Sequence, residues 1–323
     1  MEKKVILSIR NLSKDFKIRG GSFLEKPTTL HALSDVSVDV YEGETLGIIG
    51  ESGCGKSTFG RCIVKLHKAT SGEIIYNGED IVGKTGPELK KLRKDLQIIF
   101  QDPYSSLDPR KTAGSTIEEP MIVHEMSDPK TRKDRVLSLM KEVGLDEQHT
   151  HRFPHEFSGG QRQRINVARA LALEPKIIVC DEPVSALDVS VQAQVLNLLN
   201  DLQKAHELTL IFISHDLSVI RHVSDRIAIM YLGSIVELCK AEEIYTDPLH
   251  PYTKALLSAI PPESPFEKKE RIQLVGEIPS PIGERKGCSL ATRCPYVMER
   301  CRVETPELKE VKEGHRAACF LYF

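Results

Sequence analysis

The stretch Gly50-Glu51-Ser52-Gly53-Cys54-Gly55-Lys56-Ser57 constrains this chain more than any other. It fits the pattern G-x-x-x-x-G-K-[ST], follows the apolar run Thr45-Leu46-Gly47-Ile48-Ile49, and leads into a helical pattern from Gly55 to His67. The glycines let backbone N–H groups turn inward around phosphate oxygens, and the helix start adds the positive end of its dipole. Lys56 supplies a mobile charge for the β- and γ-phosphates of a nucleotide, and the Ser57 hydroxyl suits Mg²⁺. Ser52, Gly53, Cys54 and Thr58 complete the candidate nucleotide-binding stretch. A Gly-rich turn that binds nothing is the alternative, and the strand-before, helix-after context counts against it. Cys54 lies near that helix start, where a thiolate is stabilised, so a lowered pKa and a reactive thiol are expected.

The surrounding pattern agrees with an α/β fold. Apolar runs at Ile177–Cys180 and Leu208–Ile213 alternate with helical stretches at Thr131–Val143, Gly160–Leu173 and Val189–Ala205. Continuous apolar strands with helices between them fit a mostly parallel sheet covered on both faces. Val5–Val40 carries its own alternation and turn signals and predicts an antiparallel β lobe. Beyond Cys239 the composition shifts, with Pro248, Pro251, Pro261, Pro262, Pro265, Pro279 and Pro281 breaking up any long element. We expect a linker near 240–250, a helix around Thr253–Ala259, and a small Cys-rich module at the end. The predicted domains are therefore 1–240, with a helical lobe at about 103–173, and 241–323.

Charge and hydropathy narrow the function classes. A formal net charge of −2 and no basic stripe argue against a nucleic-acid partner. The longest apolar run, Ala317 to Phe323, is far short of the roughly 20 residues of a membrane span, and the N-terminus lacks a signal-peptide core. A cytosolic location is expected.

Asp181-Glu182 follows the strand Ile177–Cys180, and an acidic residue at the carboxyl edge of a parallel strand sits beside the phosphate crevice. Asp181 suits Mg²⁺, and Glu182 can point at the water that attacks the γ-phosphate. Upstream, Phe157-Ser158-Gly159-Gly160-Gln161-Arg162-Gln163-Arg164 precedes a helix. A hydroxyl and two glycines at a helix start form a second anion cradle.

This second motif resembles the signature of ABC ATPases, with Phe157 where Leu is common. The resemblance implies two chains packed head to tail, with Ser158, Gly159, Gly160 and Gln161 of one facing the phosphate loop of the other. Gln101, after Ile98-Ile99-Phe100, resembles the Q-loop glutamine, which the family also uses at Mg²⁺. Ser185-Ala186-Leu187-Asp188 resembles the D-loop, His215 the switch histidine, and Phe16 the adenine-stacking aromatic. The segments Gln101–Arg110, Asp181–Ser190 and Asp247–Thr253 are similar to the oligopeptide/dipeptide importer branch, in its second-ATPase-subunit form. That likeness implies MgATP hydrolysis that drives two membrane permeases fed by an extracytoplasmic peptide-binding protein. The chain would then sit peripherally on the inner face of the membrane. Nickel or oligosaccharide cargo belongs to related systems. A soluble ABC ATPase of DNA repair or translation would carry a long coiled coil or a second cassette, and neither is evident. A non-hydrolysing binding module is opposed by Glu182 and His215.

Cys288, Cys294, Cys301 and Cys319 crowd the last 36 residues. In a cytosolic chain clustered thiols point to metal rather than disulfide, and four sulfurs suit zinc or an iron–sulfur cluster. The spacing leaves the metal open, with His315 able to replace one thiol at zinc. The family resemblance implies a [4Fe–4S] cluster, with Zn²⁺ as the alternative.

Overall fold

A computed structural model describes residues 4–18, 28–260, 271–283 and 286–323. The chain divides into two compact units. The first comprises Tyr41–Thr45 and Gly83–Ser214 with Lys4, and the second draws on Val5–Val40, Leu46–Val82 and His215–Phe323.

In the first unit, strands Leu96–Ile99, Ile177–Asp181 and Thr209–Ser214 pair in parallel, with Ile98 opposite Val179 and Val179 opposite Ile211. Every residue of the two later strands is buried, as expected for apolar strands covered on both faces. The helix Val189–Ala205 makes the crossover between them and has the expected bounds. Three further helices, Ala113–Val123, Pro129–Glu142 and Gly159–Leu171, pack on one another. Their starts are set locally. Thr112, Asp128 and Ser158 accept backbone N–H bonds as N-caps, and Pro129 takes the first helical position, where its missing N–H costs nothing.

The second unit holds the predicted antiparallel lobe, in the strand order Thr28–Tyr41, Val5–Ile18, Ser71–Tyr76, Glu79–Asp80. Its other strands are mixed in direction. Thr45–Ile49 runs parallel to Arg226–Tyr231, which forms an antiparallel hairpin with Ser234–Lys240. The parallel expectation thus holds for the first unit and only in part for the second.

The tail differs from expectation. Helix Ala241–Thr246 starts directly where strand Ser234–Lys240 ends, so the stretch near 240–250 is not an open linker. Pro251 opens helix Pro251–Ser258. Strand His315–Ala317 adds to Ser234–Lys240, with Glu237 opposite Ala317, and Lys309–Lys312 pairs beyond it. Backbone pairing to an existing sheet lets a short tail satisfy its N–H and C=O groups without a large core of its own. Pro261, Pro262 and Pro265 lie outside the described residues. Among the described residues no helix is long and apolar enough to cross a membrane.

Candidate functional site

The Gly50–Ser57 loop joins a fully buried strand to helix Lys56–Ile63, which starts at Lys56 and is shorter than the periodicity predicts. Lys56 is buried, and its Nζ donates to the carbonyl oxygens of Gly50 at 2.8 Å and Glu51 at 3.0 Å. The loop is therefore folded around its own ammonium group. At Gly50 the backbone of a neighbouring strand comes so close that a Cβ would sit 2.1 Å from Met230 O. Gly53 has a φ of +78°, and the Gly233 N–H donates to Cys54 O at 2.8 Å, closing the loop against the Arg226–Lys240 hairpin. Ser52 and Gly53 are exposed, and Ser57 and Thr58 are half-buried.

Cys54 departs from expectation. It is 4% exposed, and burial pushes its thiol pKa up, outweighing the nearby Lys56 charge. Proximity to a helix start lowers a thiol pKa only where water or donors reach the sulfur.

In the first unit the structure brings Gln101 and Glu182 together, with Gln101 Nε2 donating to Glu182 Oε2 at 2.9 Å. Asp181 is fully buried at the strand end. Glu182, one residue on, takes a φ of +48°, a left-handed conformation that strains a residue with a Cβ. Its N–H donates to Ile213 O at 3.0 Å, and its carbonyl accepts from Ser185 Oγ at 3.1 Å, so its surroundings hold that conformation. Sequence periodicity does not reveal this positive φ.

Ser158 and Gln161 form a reciprocal capping box. Ser158 Oγ accepts from the Gln161 N–H at 3.3 Å, and the Ser158 N–H donates to Gln161 Oε1 at 3.0 Å. Gly159 and Gly160 occupy the first two helical positions, whose N–H groups have no acceptor within the helix. A Cβ on Gly160 would lie 2.4 Å from Val191, and one on Gly159 would lie 3.2 Å from Leu187. The start of helix Gly159–Leu171 thus packs directly against Leu187 and Val191. Asp188 is exposed and caps helix Val189–Ala205 without a side-chain bond.

In the second unit, His215 is exposed just before helix Leu217–Val223. Phe16 is half-buried, edge-on to His67 at 5.6 Å, with Lys14 Nζ 4.7 Å from its ring centre.

The tail cysteines converge. Cys288, Cys294, Cys301 and Cys319 line one small pocket with Leu290 and Phe320. Burial pushes the Cys288 thiol up to about 11, and the three other thiols add to that rise. His315 is not among these pocket residues. Its Nε2 lies 2.7 Å from Glu237 Oε1, in a buried group with Cys239. The Glu237 carboxylate also accepts the N–H groups of Leu249 and His250. His315 is therefore the partner of a buried carboxylate, not a zinc ligand beside the four thiols. Two residues without a role in the sequence analysis, Tyr252 and Arg293, touch Glu51 of the phosphate loop.

Residues 33–185 match the ABC transporter family, and residues 236–301 match the oligopeptide/dipeptide transporter C-terminal region. The chain is 51% identical to the oligopeptide transport ATP-binding protein AppF of Bacillus subtilis over 323 residues, 99% of this chain and 98% of that protein. It is 51% identical to OppF of Salmonella typhimurium, covering 98% and 96% of the two chains. The dipeptide transport ATP-binding protein DppF of Haemophilus influenzae is 48% identical, covering 99% and 97%. A solved dimeric ATP-binding cassette in a post-hydrolysis state with ADP and Pi superposes with a TM-score of 0.65 at 32% identity, over 73% of this chain and 98% of that one. The chain belongs to the ABC transporter family, among the ATP-binding proteins of oligopeptide and dipeptide transport.

Proposed function

We propose that this chain hydrolyses MgATP as one half of a head-to-tail ATPase dimer and thereby powers import of dipeptides or oligopeptides. The observation that carries this is the likeness to peptide-transport ATP-binding proteins along the whole chain, from phosphate loop to cysteine tail. Functionally, 1–240 is the nucleotide-binding domain and 241–323 the importer-specific region.

Gly50–Thr58 would surround the triphosphate, with Phe16 against the adenine. Ser158, Gly159, Gly160 and Gln161 would close on the nucleotide bound by the partner subunit, with Asp188 at that contact. Glu182 accepts a proton from the attacking water, Gln101 holds the Glu182 carboxylate in place, and His215 contacts the γ-phosphate. Ser57, Gln101 and Asp181 offer only oxygen donors, the hard set that suits Mg²⁺. Bound there, Mg²⁺ would neutralise phosphate charge.

The four-thiol pocket fits a sulfur-ligated centre, and its residues would hold a [4Fe–4S] cluster, with zinc the alternative. Partners are a second ATPase subunit, two membrane permeases and, through them, an extracytoplasmic peptide-binding protein. Nucleic acid is not among them. The chain would work on the cytoplasmic face, with the permease contact along Gln101–Arg110, where Tyr104 is 63% exposed.

Glu182→Gln tests the mechanism. The amide still binds water but cannot take its proton, so ATP binding persists while turnover falls by about 10²–10⁴-fold. Peptide uptake should fail in cells that carry only this variant. Near-normal ATP turnover in the purified variant would remove Glu182 from its role, and normal uptake without the chain would remove the transport assignment.

A further inference from the structure

The phosphate loop is gripped by residues from far along the chain. The Glu51 N–H donates to Tyr252 Oη at 3.1 Å. Tyr252 is 0% exposed, and its ring lies 4.5 Å from that of Tyr231. Arg293 Nη1 donates to Tyr231 Oη at 3.3 Å and stands 3.7 Å from Glu51 Oε2. Glu51 Oε2 is buried and accepts no hydrogen bond among the described residues, so the Arg293 charge offsets its burial. Arg293 itself is aimed by the turn that carries two of the cysteines. The N–H groups of Arg293 and Cys294 both donate to Leu290 O at 2.9 Å, and the Ala291 N–H donates to Cys288 O at 3.0 Å.

Glu51 is an awkward residue for a loop that must surround phosphates, because an uncompensated carboxylate there repels them. It also forms the corner whose two carbonyls hold Lys56. We propose that Tyr252 and Arg293 are positioning residues of the phosphate loop. They act through Glu51, pinning its backbone and cancelling its charge, so the cysteine-bearing tail sets the affinity for ATP. The proposal rests on the loop being the ATP site, and it gives the tail a role inside the ATPase. It also links two segments that sequence position alone would treat as independent.

The test is equilibrium titration of the full-length chain with a fluorescent MgATP analogue, with thermal unfolding as the check on folding. Tyr252→Phe leaves the Glu51 N–H without its acceptor and should raise Kd by about three- to tenfold. Arg293→Gln should raise Kd by about tenfold, with a gap that narrows as salt screens the repulsion. Arg293→Lys restores the charge and should recover part of the loss. The coupling is decisive. In a Glu51→Gln background the Arg293→Gln change should have little further effect, since no carboxylate remains to neutralise. In the assembled transporter, KM for ATP should rise by a larger factor than kcat falls.

Kd values within twofold of the parent for both Tyr252→Phe and Arg293→Gln would overturn the proposal. So would an Arg293 effect undiminished in the Glu51→Gln background. Should Arg293→Gln lose its fold, Tyr252→Phe preserves shape and carries the same criterion alone. A parent chain that binds no nucleotide would instead overturn the ATPase assignment itself.

Discussion

Replacing Gly50 by Ala isolates the steric demand at the tightest point of the phosphate loop. The added Cβ would lie 2.1 Å from Met230 O and 2.7 Å from Cys54 Sγ. Ordinary contact begins at 3.4 Å, so something must move by more than an ångström. Met230 lies within strand Arg226–Tyr231, which pairs on one side with Thr45–Ile49 and on the other with Ser234–Lys240, so its carbonyl cannot yield easily. Overpacking of this kind costs about 1–3 kcal/mol. The stiffer unfolded chain returns about 0.4–1 kcal/mol. A net loss of about 1–2 kcal/mol should lower Tm by roughly 2–6 °C for a domain of this size. If the loop gives way instead of the strand, ATP affinity falls too, and each tenfold loss removes about 1.4 kcal/mol of ligand stabilisation. The assay is thermal unfolding with and without MgATP, beside a nucleotide titration. Gly53→Asn is the control, because a Cβ there meets nothing within 4 Å and Asn tolerates the positive φ. It should leave Tm nearly unchanged. A Gly50→Ala protein with unchanged Tm and unchanged ATP affinity would refute the packing argument.

Lys56→Ala should weaken nucleotide binding itself, which equilibrium titration separates from the hydrolysis defect of Glu182→Gln; unchanged affinity would contradict the role given to Lys56. Alkylation of Cys54 should be slower at pH 7 than that of an ordinary exposed thiol, because burial raises its pKa and only the thiolate attacks. Its rate should climb as pH passes above 9.0, the ordinary thiol value, and fast modification at neutral pH, lost in Cys54→Ala, would show that the sulfur is not buried. Ser158→Ala removes the cap of helix Gly159–Leu171 and should cost about 1 kcal/mol of stability. Ser158→Asp should keep the cap yet depress ATPase activity in the dimer, since a carboxylate would face phosphate; full activity there would argue against a phosphate contact at the signature.

What the sequence determined by itself is what contiguous residues decide. The phosphate loop, the acidic strand end and the signature helix each depend on spacing, capping and apolar periodicity within some ten residues. Val189–Ala205 could be bounded for that reason, and the capping box of Ser158 and Gln161 is legible as Ser-x-x-Gln. Tertiary structure decided whatever depends on partners distant in the chain. It buried Cys54, reversing the pKa shift that its position near a helix start suggests. It paired His315 with Glu237 and drew strand His315–Ala317 onto strand Ser234–Lys240. It held Glu182 at a positive φ through hydrogen bonds to its neighbours. And it brought Tyr252 and Arg293 onto Glu51 across some two hundred residues of chain. Local patterns encode which element forms, but charge compensation, burial and strain are properties of the packed surroundings, and only the folded chain supplies those.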